Sequence, residues 1–409
     1  MASKPERSVN FYICANSFLM SPATKRNLLQ VENQIKMVRA AQQGGVQFDL
    51  ARQQFLFNPY FVLAIDRKYM LQQTLQAMAS ASPGELRKSL KIVFKGEDGV
   101  DAGGVTKEFF QLLCAQLFDL NTGMWSMELG DGIHTWFNSD CTWNYDGYYL
   151  VGVLVGLAVY NTVILDVHFP STVYRKLLGL PLGLEDMIDE ELQKGLKQLL
   201  EYDGDDVEQI FCLTFEITWM DLGTERTKEL KPGGCEIPVT SDNKEEYVML
   251  YVKWLLVDSV QTQYKEFERG FMQVMESSCL DLLRPEELEL LVEGTPELDF
   301  EALEGSTQYE GGYDKNCPVI KNIWKWVKSA PEETQLKFLK FSTGSSKAPI
   351  GGLGEMPFKI QRAGPDSIQL PTSHTCFNTL LIPDYGDDYD KLAQRLGRSV
   401  LECEGFGLQ

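Results

Sequence analysis

Leu370-Pro371-Thr372-Ser373-His374-Thr375-Cys376-Phe377-Asn378 sets one thiol behind a polar, hydroxyl-rich approach near the end of a 409-residue chain. The other eight cysteines have no such surroundings. Sulfur is a strong nucleophile, but a free pKa of roughly 8.5 leaves only a few per cent thiolate near neutral pH, so placement decides whether it reacts. Read as an extended strand, Ser373 to Leu380 alternates with period two, which puts His374, Cys376 and Asn378 on one face and buries Phe377 on the other. Strand neighbours two apart have backbones separated by roughly 6.6 Å, whereas a working Cys-His pair needs hydrogen-bond reach. Protease partners normally converge from distant segments, and only His134 and His168 remain for that role. Each of these reads as a packed, hydrogen-bonded histidine. For Cys376 the competing reading is a small buried hydrophobe.

Outward from this segment, composition narrows the classes. A hydrophobic content of 44% supplies a core for two or three domains. The 58 acidic against 38 basic residues give a formal net charge of -20, which disfavours nucleic acid and anionic membranes and favours a partner with a basic face. Nine cysteines, an odd number with no closely spaced framework, and no Asn-X-Ser/Thr acceptor argue against a secreted disulfide scaffold. Reduced thiols in cytosol or nucleus are expected. The apolar run Leu150 to Leu165 is interrupted at Asn161-Thr162 and is shorter than the roughly 20 residues of a spanning helix, so it reads as a buried helix. Lys4 and Arg7 before Phe11-Tyr12-Ile13-Cys14 faintly echo a signal peptide, but no small-residue cleavage site follows cleanly. Three histidines and no Cys-X-X-Cys leave no tetrahedral zinc set; neither metal nor other cofactor is expected.

Phe11 to about Ala79 reads as helical with a short apolar run, Phe55 to Ile65, and Ser82-Pro83-Gly84 breaks it. Lys91 to Phe94 reads as a strand leading into the glycine-rich loop 96–104, after which Val105, Phe109, Leu112, Leu113 and Leu117 recur at helical spacing. A phosphate loop would end in Gly-Lys-Ser/Thr; here Thr106-Lys107-Glu108 follows and Glu97, Asp98 and Asp101 would oppose phosphate, so a strand-to-helix turn is expected. Ile188, Leu192, Leu196 and Leu199 form one helical stripe behind Asp189-Glu190-Glu191; Tyr247, Leu250, Tyr251, Trp254 and Leu255 form another behind Ser241-Asp242-Asn243. Such stripes are core faces or docking faces, and spacing alone leaves both open. A further helix starts at Arg284-Pro285 and stops near Gly294. Phe300 to Tyr313, polar and glycine-bearing, reads as a hinge. Beyond it two helices (Val319 to Val327, Pro331 to Phe341), short strands near Phe358 to Ile360 and Phe377 to Ile382, and a last helix marked by Tyr389, Leu392, Leu396 and Val400 make a small α/β domain.

Four motifs taken together resemble one family: Leu370 to Asn378; Asp98-Gly99-Val100-Asp101-Ala102-Gly103-Gly104-Val105-Thr106-Lys107-Glu108-Phe109-Phe110; Ile164-Leu165-Asp166-Val167-His168-Phe169-Pro170; and Glu404-Gly405-Phe406-Gly407. Over nearly its whole length the chain is similar to HECT ubiquitin ligase catalytic domains, nearest the HERC-like and papillomavirus-associated branch. The resemblance implies an α+β, bilobal fold: a mostly helical N-lobe over 1–304 with an E2-binding subdomain at about 172–250, a hinge at 305–312, and an α/β C-lobe over 313–409. It implies that an E2 ubiquitin-conjugating enzyme docks on the N-lobe, that Cys376 takes ubiquitin as a thioester, and that a substrate lysine then receives it. Family docking positions fall on Leu192, Leu196, Tyr202, Ile210 and Tyr247, with Tyr247 in place of a common phenylalanine and able to add a hydrogen bond. His374 and Thr375 are candidates to shape the thioester, and Phe406 matches an aromatic required for ligation. Leu408-Gln409 departs from the acidic ends of other branches, which argues against a terminal carboxylate base. Family substrate-selecting modules lie upstream, and little precedes residue 50 here, which suggests an excised catalytic fragment or a short ligase. The rival readings are a cysteine hydrolase acting on ubiquitin conjugates and a non-catalytic scaffold.

Overall fold

The computed structural model describes residues 17–43, 46–49, 54–57, 59–97, 104–126, 134–141, 144–221 and 224–406. The N-terminal segment through Asn16, the loop Asp98 to Gly103 and the terminal Gly407 to Gln409 lie outside the described residues, as do the side chains of Cys376 and Phe406.

The first part opens with α1 (Pro22–Gln43), the antiparallel hairpin β1 (Val46–Asp49) and β2 (Gln54–Phe57), and β3 (Tyr60–Ile65). The continuous helical pattern expected over Phe11 to Ala79 is therefore broken by three strands. The cause lies in the run ending at Ile65, where burial alternates with period two: Leu63 and Ile65 point inward, Tyr60 and Val62 outward. After α2 (Met70–Ser80) and the capped turn α3 (Pro83–Leu86), β4 (Ser89–Phe94) pairs in parallel with β3. Next come α4 (Gly104–Leu117), the short pair β5 (Trp125–Ser126) and β6 (Trp136–Phe137), and α5 (Tyr145–Asn161).

From Gly147 to Tyr160 every residue of α5 is buried, as an uninterrupted apolar helix requires. No described helix is long and apolar enough to cross a membrane. A Cβ at Gly152 would collide with the Phe267 carbonyl, so glycine there lets α5 lie close against α10 (Gln261–Val274). Between these helices the chain forms α6 (Ser171–Leu177), α7 (Glu190–Glu201), α8 (Val207–Phe211), the antiparallel hairpin β7 (Glu216–Asp221) and β8 (Thr224–Glu229), and α9 (Lys244–Lys253), continued by a π turn over Trp254–Asp258. α11 (Pro285–Glu293) closes this part and ends at Gly294, φ 78°. Its Glu287 forms an ion pair of 2.7 Å with Lys25 of α1, both side chains 2% exposed.

A second, smaller core begins with α12 (Phe300–Ser306) and β9 (Gln308–Glu310). Helices α13 (Pro318–Ser329), α14 (Glu332–Thr343) and α15 (Tyr389–Phe406) accompany a sheet ordered β11 (Thr372–His374), β12 (Thr379–Ile382), β10 (Lys359–Arg362), β9. β11 runs antiparallel to β12; the other pairings are parallel. The stretch read as a polar hinge is thus a helix and an edge strand. Phe300, Leu303 and Tyr313 are buried in the second core, anchors that the surrounding polar residues conceal in the sequence. Gly311 and Gly312, at φ 71° and 92°, follow β9 and occupy the left-handed region where glycine carries no Cβ penalty.

Candidate active site

Cys376 lies at the centre of a 3-10 turn, Thr375–Phe377, between β11 and β12. The segment is therefore a tight connection, and the extended reading of Ser373 to Leu380 is corrected. His374 pairs with Thr379 across the antiparallel strands, and Asn378 closes the turn at φ 48° with its N–H donating to Thr375 O at 3.2 Å. Asparagine tolerates this region better than most side chains. Once the chain turns here, alternation fails: Phe377 is 49% exposed, the opposite of the burial expected for it.

The turn is fastened from several sides. Ser373 Oγ donates to Phe341 O at 2.6 Å, Asn378 Nδ2 to Pro357 O at 3.0 Å, and Lys359 N to Asn378 O at 3.0 Å. Beneath it α4 reaches over from the first core. Lys107 Nζ donates to Asn378 Oδ1 at 3.0 Å and to Thr375 O at 3.4 Å, and also bonds Thr343 O; Gln111 Nε2 donates to Gly344 O at 2.6 Å.

Between the two cores a cleft of 1210 Å³ runs up to this turn. Cys114, Phe118 and Asp166 line one side, Phe341, Pro371 and Thr375 the other. Burial pushes the Cys114 thiol far above its usual range, with the nearby Asp166 charge adding to the effect, which disfavours its thiolate. Thr375 is half-buried on the cleft wall and His374 is exposed. Neither His134 nor His168 is among the described residues lining the cleft. His168 is not packed as expected: its ring is 45% exposed, 3.4 Å from Lys347 Nζ and 3.7 Å from Glu293 Oε2. Glu293 accepts hydrogen bonds from Phe169 N, Tyr174 OH and Lys347 Nζ. Burial alone would raise its pKa, but the bonds from His168, Tyr174 and Lys347 hold it below the ordinary carboxylate range. Lys347 belongs to the loop after α14, so this carboxylate ties the two parts together.

The second group of predicted residues gathers around α7, α8 and α9. Asp189 caps α7 by accepting from Glu191 N and Leu192 N, and Lys244 Nζ satisfies the other end through Leu200 O and Tyr202 O. Leu192 and Tyr202 are half-buried, and Ile210 is exposed. Leu196 and Tyr247 are interior, at 5% and 2% exposure, so the stripes are core faces at these two positions. Tyr247 packs edge-on against Phe215 and Tyr251. Tyr202 makes a polar contact, donating to Asp206 Oδ1 at 2.6 Å while its ring meets Phe211. Phe406 is the last residue of α15.

The turn bearing Cys376 thus stands beside a cleft between a large helical core and a small α/β core. The HECT-domain (ubiquitin-transferase) family model matches residues 111–409, and the chain belongs to that family. It is 40% identical to the probable E3 ubiquitin-protein ligase HECTD2 of Mus musculus, over 98% of this chain and 54% of that protein. It is 35% identical to the probable ligase HERC3 of Homo sapiens, over 97% of the chain and 38% of that protein. With the probable ligase HUL4 of Eremothecium gossypii it shares 34% identity, over 98% and 49%. The chain thus spans about half the length, or less, of these relatives.

Proposed function

We propose that this chain is a HECT-type E3 ubiquitin-protein ligase in which Cys376 carries ubiquitin as a thioester between an E2 and a substrate lysine. The observation that carries the reading is the turn bearing Cys376 beside an open cleft, in a chain of this family. In the first step the Cys376 thiolate attacks the carbonyl carbon of the E2-bound ubiquitin thioester, and the E2 thiolate departs with the bonding electrons. One thioester replaces another, so approach and orientation are the main requirements. In the second step a deprotonated substrate amine attacks, an amide bond forms and the Cys376 thiolate is released. His374 and Thr375 flank the sulfur and shape the thioester; Phe406, at the end of α15, supports ligation.

The N-lobe extends to residue 304 and the C-lobe from 313, with 305–312 between them. The E2 docks within about 172–250, across Leu192, Tyr202 and Ile210, while Leu196 and Tyr247 hold that surface from beneath. Free thiols at Cys114, Cys141, Cys212, Cys235, Cys279 and Cys317 suit a cytoplasmic or nuclear compartment.

The test is Cys376→Ser incubated with E1, E2, ATP and ubiquitin. Wild type forms a reductant-labile adduct; the variant gives at most a reductant-resistant oxyester. A labile adduct persisting in the variant places the nucleophile elsewhere. Release of a C-terminal fluorophore from ubiquitin without E2 would instead mark a hydrolase.

A further inference from the structure

The α4 face that meets the cysteine turn has a role that neither the motif nor the fold requires. Lys107, in the first turn of α4, belongs to the first part of the molecule, while all three of its hydrogen-bond acceptors noted above belong to the second. An ammonium donates only N–H bonds, and these three oxygens are acceptors. Each acceptor has structural meaning. Thr375 O is the carbonyl immediately preceding Cys376, and Asn378 Oδ1 belongs to the left-handed residue that closes the turn. Thr343 O is a terminal carbonyl of α14, where a cation is favoured. One helical turn on, Gln111 grips the next carbonyl, Gly344 O.

We propose that Lys107 is a positioning residue: its ammonium clasps the cysteine turn to the first core, ordering the turn for transfer to lysine, and the clasp opens when the C-lobe leaves to be charged by E2. This rests on the ligase reading above for its role in turnover, but the clasp itself is independent of ubiquitin chemistry. The consequence is a split between the two half-reactions. Removing the ammonium disorders the turn in the transfer geometry and costs the second step, while the first step, for which the clasp has to be released, loses nothing.

The experiment uses the full chain and three variants: Lys107→Met, Asn378→Gly, which removes the acceptor but keeps the left-handed backbone accessible, and their combination. In single turnover with fluorescent ubiquitin, discharge of the preformed thioester to free lysine should fall about tenfold in Lys107→Met, equivalent to ~1.4 kcal/mol. Charging from E2 should stay equal or become faster. The double variant should fall by less than the product of the two single effects, because the Lys107–Asn378 contact is lost in both while each also removes bonds of its own. Hydrogen exchange of the uncharged protein over 372–380 should quicken in both single variants. Unchanged exchange there overturns the clasp, whatever the enzyme does. Equal loss of charging and discharge, or loss of neither, overturns its role in transfer. A wild type that never forms a thioester defeats the ligase reading, and the exchange measurement then still decides the clasp.

Discussion

The two cores on either side of the cleft are built on different principles. The first is aromatic and continuous: Trp125, Phe137, Tyr148, Phe169 and Phe267 meet edge-on or tilted around α5, and glycine brings α10 against it. The second is a four-stranded sheet with three long helices, and its most chemical feature sits on a three-residue turn between two short strands. They are joined through polar contacts: Lys107 and Gln111 on carbonyl oxygens, Lys347 on Glu293, and the backbone pair between Thr295 and Ala348 at 2.7 and 2.9 Å. Apolar burial makes a body that does not reorganise. Polar contacts whose partners water can replace make a joint that separates at modest cost. For the ligase proposed above, a packed platform for one partner and a separable carrier for the thiol would be the division of labour that two successive transfers require.

The sharpest way to break this contrast is inside the first core. Lys25→Met leaves buried Glu287 with only the longer, 3.5 Å ion pair to Arg284, and the expected loss is about 3 kcal/mol. Chemical denaturation should show the loss in the transition reporting the helical part, with the midpoint of the C-terminal part unchanged. A uniform shift of one transition would show that the cores unfold as a unit.

Next in size is a pair that separates support from contact in the docking region. Leu196→Ala removes a buried side chain from α7 and should destabilise by about 2–5 kcal/mol. Ile210→Ala, at an exposed site, should change stability by no more than ~0.5 kcal/mol yet slow charging from E2. If Ile210→Ala leaves the single-turnover charging rate intact, the accessible part of this surface is not where the E2 sits.

Acid provides a milder test of the joint. Glu293 has a folded pKa below its unfolded value, so the stability it contributes is fully present above the unfolded range and is lost as pH falls through the folded value. Acidification below the ordinary glutamate range should therefore weaken the wild type. Glu293→Gln should start less stable at neutral pH and lose less on acidification, read as denaturation midpoints across pH 3 to 7. Parallel pH profiles for the two proteins would show that the carboxylate does not couple folding to protonation.

How far the sequence disclosed all this depends on the kind of signal each element left. α5 is legible because Leu150 to Val159 is an unbroken apolar run and only burial satisfies that. The cysteine turn was misread as strand because alternation over eight residues outweighed a single marker, Asn378, whose tolerance of the left-handed region was the clue. Leu196 and Tyr247 show the limit of periodicity: spacing identifies a face but not what covers it, and the two stripes lie partly against each other. In Phe300 to Tyr313, glycine and charge masked the three apolar anchors. Lys107 was noticed only as part of a loop that fails to hold phosphate, since its partners lie more than two hundred residues away in the chain.

Phe377 gives the smallest effect on stability and the finest discrimination. The residue after Cys376, it holds an aromatic ring 49% exposed on the second core, where packing demands little of it. Phe377→Ser should therefore leave the denaturation midpoint within about 0.5 kcal/mol of wild type. If ubiquitin or E2 covers this exposed ring in the proposed handover, charging should slow several-fold in the variant while the fold is unaffected. Were the midpoint to fall by 2 kcal/mol or more, the ring would be a structural part of the second core (~2 kcal/mol being the onset of core deletions), and the difference between a packed platform and an exposed carrier surface would fail at the residue beside the thiol.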